Sequence, residues 1–522
     1  MSNLPSKFST IRQWTTILSE SQVHRNDKID YYQKKCTGLE RKITAVLQPY
    51  STSDVQKIIA MANETGQPLY PVSCGRNWGY GSFLPVQDDC TLVDLSQMRA
   101  IRSIGSDFVE IEPGVTQQAL SQALEVRNIP SFFNCTGAGC ETSVLGNALD
   151  RGFGYLGMKP DDLSCLEVVL GNGTVLNTGF SHYPNASTAS TYPPGLGPSL
   201  DGLFCQSNFG IVTSARFRLH PKVESHAAAI FTLNDPANRD IFIDRFARLR
   251  RDEVFTSVFH FGNPARAIAT LGPLVYQFLL DQGEKNGAST REKAMDLVRQ
   301  HSFSTWTGNT AIRGTAKAVD LIFEEFQKAV GDITGIQRVD ANTLDEASPK
   351  SAAEAVHREL LKFTLAIPSD ATLQAPFWAL SQTAADPVNE IDSGTVGVLF
   401  CCPTLPFESQ SLDEVIRITD EEFNKYGFVP CITCNAVNAG TLIAVINLFF
   451  HRDQPDEAEK AHQCIAELYD RFASIGHYPY RVGIQSMDKF VSPSDPFWQT
   501  VSSLKTALDP ANIIAPGRYS LV

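Results

Sequence analysis

A chain of 522 residues exceeds what one hydrophobic core ordinarily supports, so two domains are expected. Its composition, 43% hydrophobic and 19% charged with no low-complexity tract, is that of a folded protein and excludes a disordered scaffold. A formal net charge of −13, with no Lys/Arg-rich run, disfavours nucleic acid or an anionic membrane as a main partner.

No apolar stretch is long enough to span a bilayer, and the opening MSNLPSKFST lacks the basic-then-apolar order of a secretory signal. The cytoplasm is therefore the expected location. The twelve cysteines are too sparse for a disulfide framework and read as small buried hydrophobes. Cys431 and Cys434 form a C-x-x-C pair, but no second pair or nearby histidine completes a zinc site, so no metal is expected.

Residues 40–220 read as strands alternating with helices. ITAVLQP is a short apolar strand, and SDVQKIIAMANET is a helix with Ser53 as N-cap and Val55, Ile58, Ile59 and Ala62 on one face. PLYPVSCG, TLVDLSQM and FVEIEPGV read as further strands, and TQQALSQALEVR as a helix. LEVVLGNGTVLNTG is a hairpin whose Asn172-Gly173 pair suits a turn needing positive φ. GIVTSARFRLHP closes this region. From about residue 222 to 480 the pattern is α+β, with amphipathic helices such as KAVDLIFEEFQKAV and EAEKAHQCIAELYDRFA, and buried strands GTVGVLFCCPTLP and TLIAVINLFFHRD. The end, LKTALDPANIIAPGRYSLV, is a helix, a turn and an irregular tail.

Two nucleotide signatures fail. Gly152, Gly154 and Gly157 match G-x-G-x-x-G, but the match neither follows a strand nor opens a helix, and no phosphate loop of the G-x-x-x-x-G-K-[ST] kind occurs. More informative is PVSCGRNWGYG, residues 71–81, where Gly75, Gly79 and Gly81 follow an apolar strand with Arg76-Asn77 between them. Glycines let backbone N–H groups crowd an anion, and such a nest holds a pyrophosphate without a helix. A second loop, CTGAGCETSVLGNALDRGFGY, carries Gly137, Gly139, Gly146 and Gly152. From residue chemistry alone, two anion-binding loops and two ordinary tight turns stay open.

GRNWGYG, GNALDRGFGY, GLFCQSNFGIVT and LDPANIIAPGR occur in this order, and together they closely resemble the vanillyl-alcohol oxidase and 4-cresol methylhydroxylase flavoproteins across nearly the whole chain. The resemblance implies a two-domain α+β flavoprotein that binds FAD. Its FAD-binding domain would be split between residues 1–221 and a C-terminal return over 485–522, with a central α+β cap, residues 222–484, covering the flavin ring.

Residue by residue, the resemblance implies that Pro71, Val72, Ser73, Cys74, Gly75, Arg76, Asn77, Trp78 and Tyr80 form the loop around the FAD pyrophosphate. Gly137, Gly139, Cys140, Ser143, Gly146 and Asn147 would form the second loop, continued by Gly152 and Tyr155. Asn208, Gly210 and Ile211 would run along the adenine and ribitol side, and Gly517 and Arg518 would supply the C-terminal approach. It also implies oxidation of a para-substituted phenol bound as phenolate, with hydride leaving its benzylic carbon for flavin N5. That chemistry asks for a fixed cation and hydroxyl donors at the phenolate oxygen. Tyr80 and the Tyr480-Arg481 pair of YPYRVGI match the family's groups for this role.

The chain departs from the family in three places. Where relatives carry a histidine on a cap strand, it reads Ile443-Ala444-Val445; where relatives attach the flavin through histidine or tyrosine, it reads Val398; and no obvious aspartate lies near the flavin. Noncovalent FAD is therefore expected, with a cysteinyl link through Cys401 or Cys402 as the alternative. Three functions stay open: oxidation of a phenol, oxidation of a non-phenolic alcohol or hydroxy acid whose carboxylate Arg481 would hold, and a catalytically silent binding protein. The expected partners are a small-molecule substrate, an electron acceptor (oxygen or a redox protein), and a second copy of the chain in a homodimer or larger assembly.

Overall fold

The computed structural model describes residues 11–521 apart from 26, 34, 301–304, 346, 347, 383, 385–387 and 389. The decapeptide read as lacking a secretory signal lies outside the described residues.

The first sheet is four-stranded. It comprises β1 (Val23–His24), β2 (Ile43–Leu47), β3 (Leu69–Val72) and β4 (Cys90–Asp94) in the order β1-β2-β4-β3. β2 and β3 both run parallel to β4, and parallel strands need a crossover connection. Helix α1 (Thr52–Thr65) makes it, burying Val55, Ile58, Ile59 and Ala62 as their spacing predicts. Its N-cap is Ser51 rather than Ser53. Ser51 has extended backbone (φ −152°) and its side chain accepts from the Asp54 amide, whereas Ser53 already lies within the first turn.

A second sheet holds β5 (Ile101–Ile104), β6 (Phe108–Ile111), β7 (Leu163–Leu170), β8 (Val175–Asn177) and β9 (Gly210–Arg218) in the order β8-β7-β9-β6-β5. All its pairings are antiparallel. The β7–β8 turn is the expected hairpin, with Gly173 at φ +83°. β5 has no sequence counterpart, because its exposed Arg102 and Ser103 dilute the apolar signal. Helix α2 (Gln117–Val126) is capped by Thr116, and the short helix α3 (Val144–Leu149) by Ser143. Gly152, Gly154 and Gly157 come after α3, and the last two lie in a two-residue ladder, Phe153–Gly154 against Gly157–Met158, so the dinucleotide fingerprint is absent in space as well.

The remaining strands build one antiparallel sheet of eight strands: β10 (Ser225–Leu233), β11 (Phe259–Gly262), β12 (Thr307–Gly314), β13 (Thr334–Asp340), β14 (Val396–Cys401), β15 (Cys431–Ala436) and β16 (Thr441–His451), with Thr404–Pro406 beside β16. The order is β13-β10-β12-β11-β15-β16-β14. Side chains alternate across a strand. On β11, Phe259 and Phe261 enter a core with Phe231, Phe242, Phe246 and Phe326, while His260 points to the other face. Cys431 and Cys434 lie on opposite faces of β15, Cys434 in that same core and Cys431 against Ala269 and Ala375 of another cluster, so their side chains do not converge on one metal.

After helix α4 (Pro496–Leu508) the tail returns to the first sheet. The Leu69 amide donates to the Ile513 carbonyl and the Ala515 amide to the Leu69 carbonyl, both at 2.7 Å. Lys505 pins this return: buried beside Asp509, its ammonium donates to the carbonyls of Asn208 (2.7 Å) and Ile514 (2.8 Å). Replacing Lys505 by Ala strands the Asp509 carboxylate in the interior, at a cost of about 3–5 kcal/mol. Calorimetric unfolding of Lys505→Ala is expected to show a clear drop in transition temperature; an unchanged transition would contradict the pinning role.

Candidate active site

The loop after β3 turns through Gly75, Gly79 and Gly81, all at positive φ. α3 of the second loop packs directly onto it, and a Cβ on Gly146 would overlap the Ser73 hydroxyl. Alanine at 146 would push the loops apart.

Between these loops runs a crevice. Of the residues expected at the cofactor, Pro71, Val72, Ser73, Gly75, Arg76, Asn77 and Tyr80 line it from the first loop, and Ser143, Gly146 and Asn147 from the second. Gly210, Ile211 and Arg518 line it too. Trp78, Gly137, Gly152 and Tyr155 instead line a second, larger cavity of about 390 Å³ under the eight-stranded sheet. Cys74, Gly139, Cys140, Asn208 and Gly517 line neither. The Cys74 thiol faces the Gly114 carbonyl, and the Cys140 amide donates to Asp370. Asn208 acts one step back: its amide donates to the Ala515 carbonyl (3.0 Å) and the Ser520 hydroxyl (2.8 Å), fixing the tail that carries Arg518.

Arg76, Asn77, Tyr80, Asn147 and Arg481 line both spaces and mark their junction. The expectation of no aspartate near this point is corrected here. Asp150, within the quoted motif GNALDRGFGY, accepts from Asn77 (2.8 Å) and Arg518 (2.9 Å) and pairs with Arg481 at 3.4 Å. Two guanidinium groups share one carboxylate, leaving a positive charge in excess. Arg481 lies over the Tyr80 ring, 3.9 Å from its centroid, and 5.5 Å from that of Tyr480. Phe400 stacks on Tyr80 at 5.1 Å.

Burial, with Cys402 beside it, raises the Tyr80 pKa well above its ordinary value, and burial raises that of Tyr480 despite the nearby Arg481. Both therefore stay protonated as donors. Burial opposes the charge on Arg481, yet its pKa is raised well above the ordinary value, and with both tyrosines neutral the Asp150 carboxylate is the counter-charge that holds the guanidinium ionised.

Val398 of β14 lines the larger cavity, as does Val445 of β16, so the two positions where relatives carry other groups are apolar here. A histidine nevertheless reaches the cavity. His260 comes from β11, where a lone histidine between phenylalanines gave the sequence no signal. Burial pushes its pKa down to about 4, leaving the imidazole neutral. Cys401 turns into the phenylalanine core, whereas the Cys402 thiol sits 3.1 Å from the Tyr80 hydroxyl.

A crevice lined by glycine loops that opens onto a tyrosine- and arginine-bearing cavity is the arrangement of a flavin-dependent oxidoreductase, and known proteins bear this out. The family model for the FAD binding domain matches residues 43–179. The chain is 31% identical over 501 residues to 1'-carboxy-chondrochloren decarboxylase of Chondromyces crocatus, covering 92% of this chain and 90% of that protein. It is 25% identical over 526 residues to the flavoprotein subunit of 4-cresol dehydrogenase (hydroxylating) of Pseudomonas putida, covering 98% and 95%. Among solved structures, p-cresol methylhydroxylase with substrate bound matches with a TM-score of 0.84 at 23% identity, and the isoeugenol complex of 4-ethylphenol oxidase from Gulosibacter chungangensis with 0.85 at 21%. Each match covers 98% of this chain and 96% of the other, and these two speak for the fold. The chain belongs to the vanillyl-alcohol oxidase and 4-cresol methylhydroxylase family of FAD-linked oxidoreductases.

The junction fits FAD. Oδ1 of Asn147 and Nε of Arg481 are buried with no protein partner among the described residues, so an acceptor and a donor await a polar heterocycle. Replacing Asp150 by Asn leaves Arg481 and Arg518 without their shared counter-charge, a loss on the order of 3 kcal/mol. Asp150→Asn is expected to shed FAD during gel filtration and to unfold earlier than the parent. Full flavin absorbance with parent stability would rule out Asp150 as the clamp.

Proposed function

We propose that the enzyme removes hydride from the benzylic or alcohol carbon of a para-substituted phenol, whose oxygen is held as an anion by Tyr80, Tyr480 and Arg481. The observation that carries this is the junction cluster: a charged arginine with a partnerless Nε, stacked on one protonated tyrosine and close to a second. In this reading residues 1–221 and 485–522 are the FAD-binding domain and 222–484 the cap.

Bound FAD supplies the two-electron acceptor. The chain supplies the rest. A fixed cation in a low-dielectric site favours binding of the phenol as its phenolate, the proton being left to bulk solvent, and the two tyrosine O–H groups donate to that oxygen. Electron density from that oxygen then moves into the ring as the benzylic C–H bond breaks and its electron pair departs as hydride, leaving a neutral quinone methide on the substrate. Arg481 favours the anion from which hydride leaves and its fork suits a planar anion. Val398, Phe400 and Phe449 keep this end of the cavity apolar.

A second reading retains FAD with a carboxylated substrate. The relative from Chondromyces crocatus is named as a decarboxylase of a carboxy compound, and the cavity offers a cation besides Arg481. Release of FAD into the supernatant on acid precipitation is expected, since neither histidine nor tyrosine stands at 398 and Cys401 faces the core. A yellow pellet whose flavin maps to Cys402 would support the cysteinyl link instead.

The phenolate reading makes a quantitative claim about Arg481. A charge-assisted hydrogen bond to a desolvated anion is worth roughly 1.5–3 kcal/mol. Arg481→Ala is therefore expected to slow anaerobic flavin reduction by on the order of 10- to 100-fold, with Arg481→Lys recovering only part. Reduction at the parent rate would overturn the assignment.

A further inference from the structure

The larger cavity has a second polar end. Along one row of the eight-stranded sheet, Asn309 of β12, His260 of β11 and Asn435 of β15 stand in register. The neighbouring row brings Gly262 opposite Thr433. Next to it Arg266 projects from the first turn of the helix Pro264–Asp281. Its Nε donates to the Thr433 hydroxyl at 3.1 Å, and among the described residues no carboxylate pairs with it.

Three features mark this cluster as a ligand site. His260 Nε2 and Asn309 Nδ2 are buried without a hydrogen-bond partner among the described residues, although the Asn309 carbonyl oxygen is engaged by the Tyr155 hydroxyl at 2.9 Å. Arg266, His260, Asn309 and Thr433 all line the same cavity, and among its described lining residues there is no aspartate or glutamate. Burial lowers the Arg266 pKa, with only Cys431 acting the other way, so the folded protein carries an uncompensated cation there. Such a group is stabilised by an anion that arrives with the ligand.

The cluster is distinct from the junction. The Phe153 ring neighbours a member of each, 6.0 Å from Tyr480 and 6.3 Å from His260 by ring centroids, and Val445, Phe449 and Leu271 add apolar wall. A ligand that satisfies both ends has a hydrogen-bonding oxygen at one end, an apolar body, and an anion at the other. One guanidinium flanked by neutral groups matches the single charge of a carboxylate; a dianionic phosphate would be left half neutralised.

We infer that Arg266, with His260 and Asn309, binds a carboxylate on the substrate, making a hydroxyphenyl compound with a carboxylate-bearing arm the substrate class. The inference rests on the phenol reading for the opposite end. Because His260 is neutral, it serves as a hydrogen-bond donor to the carboxylate rather than as a second cation.

The test is calorimetric titration of the FAD-loaded protein with ω-(4-hydroxyphenyl)alkanoates of increasing chain length, their methyl esters, and the matching phenyl acids without the hydroxyl. At least one acid is expected to bind roughly 10- to 100-fold tighter than its ester. Arg266→Gln should erase that preference by weakening the acids far more than the esters, with the flavin spectrum unchanged, and Arg266→Lys should restore part of it. Equal binding of acids and esters by the unaltered protein overturns the inference. So does an acid preference that survives Arg266→Gln but disappears in Arg481→Ala, since the carboxylate would then sit at the junction. An acid preference lost with Arg266→Gln but equal for phenols and phenyl acids supports this subsite and refutes the phenol reading alone.

Discussion

The Asp150 carboxylate lies between two guanidinium groups that reach it from far along the chain, Arg481 and Arg518, and it also accepts from Asn77 of the first glycine loop. Without a shared anion, two buried cations in such proximity would repel and each would pay for lost hydration. With it, the glycine loop, the C-terminal tail and the segment before the tail are drawn to one point. That point is the junction of the glycine-loop crevice and the larger cavity. Lys505 and Asn208 serve the same end at one remove by fastening the tail that presents Arg518.

The eight-stranded sheet solves a different problem. Alternate side chains of β11, β15 and β16 enter the phenylalanine-rich core, and between them His260, Gly262, Thr433, Asn435, Val445, Asn447 and Phe449 face the cavity. Stability and recognition are thus assigned to alternate positions of the same strands. A shift of one residue in register would bury His260 and Asn435 in the core and turn Phe259 and Phe261 to the ligand. The core holds the register, and the register aims the polar groups.

This division explains what was readable from the sequence. The β2–α1–β3 unit, the Asn172-Gly173 hairpin and the long amphipathic helices were legible because their signals are local: spacing, caps and a turn pair. The family order of motifs gave the FAD fold and pointed to Tyr80, Tyr480 and Arg481, which the fold brings to one junction. Asp150 lies inside a motif and was still missed, because its two arginine partners are separated from it by 331 and 368 residues and an Asp-Arg dipeptide on a helix end looks like solvated surface. His260 and Arg266 carried no pattern at all. Their meaning lies in cross-strand register and in missing counter-charges, neither of which a linear sequence displays. Gly139 and Cys140 fell within a motif yet line neither space, since a loop that follows a family pattern contains residues that brace it as well as residues that face its ligand.

The balance of charge ties these parts together. Arg76 has Glu390 at 2.6 Å, and Arg481 and Arg518 divide Asp150 between them, whereas Arg266 has no acidic partner among the described residues. Positive charge is in excess at two places, the junction and the Arg266 cluster. Each excess lowers the stability of the empty fold, because a buried cation gives up water without full return. A fold tolerates that cost when the core elsewhere is large, and here the phenylalanine cluster behind the sheet provides it. The same low polarity that makes an unpaired cation costly strengthens its attraction for an incoming anion. Folding therefore does in advance the electrostatic work of holding charge in place, and the ligand completes what the protein leaves unpaired.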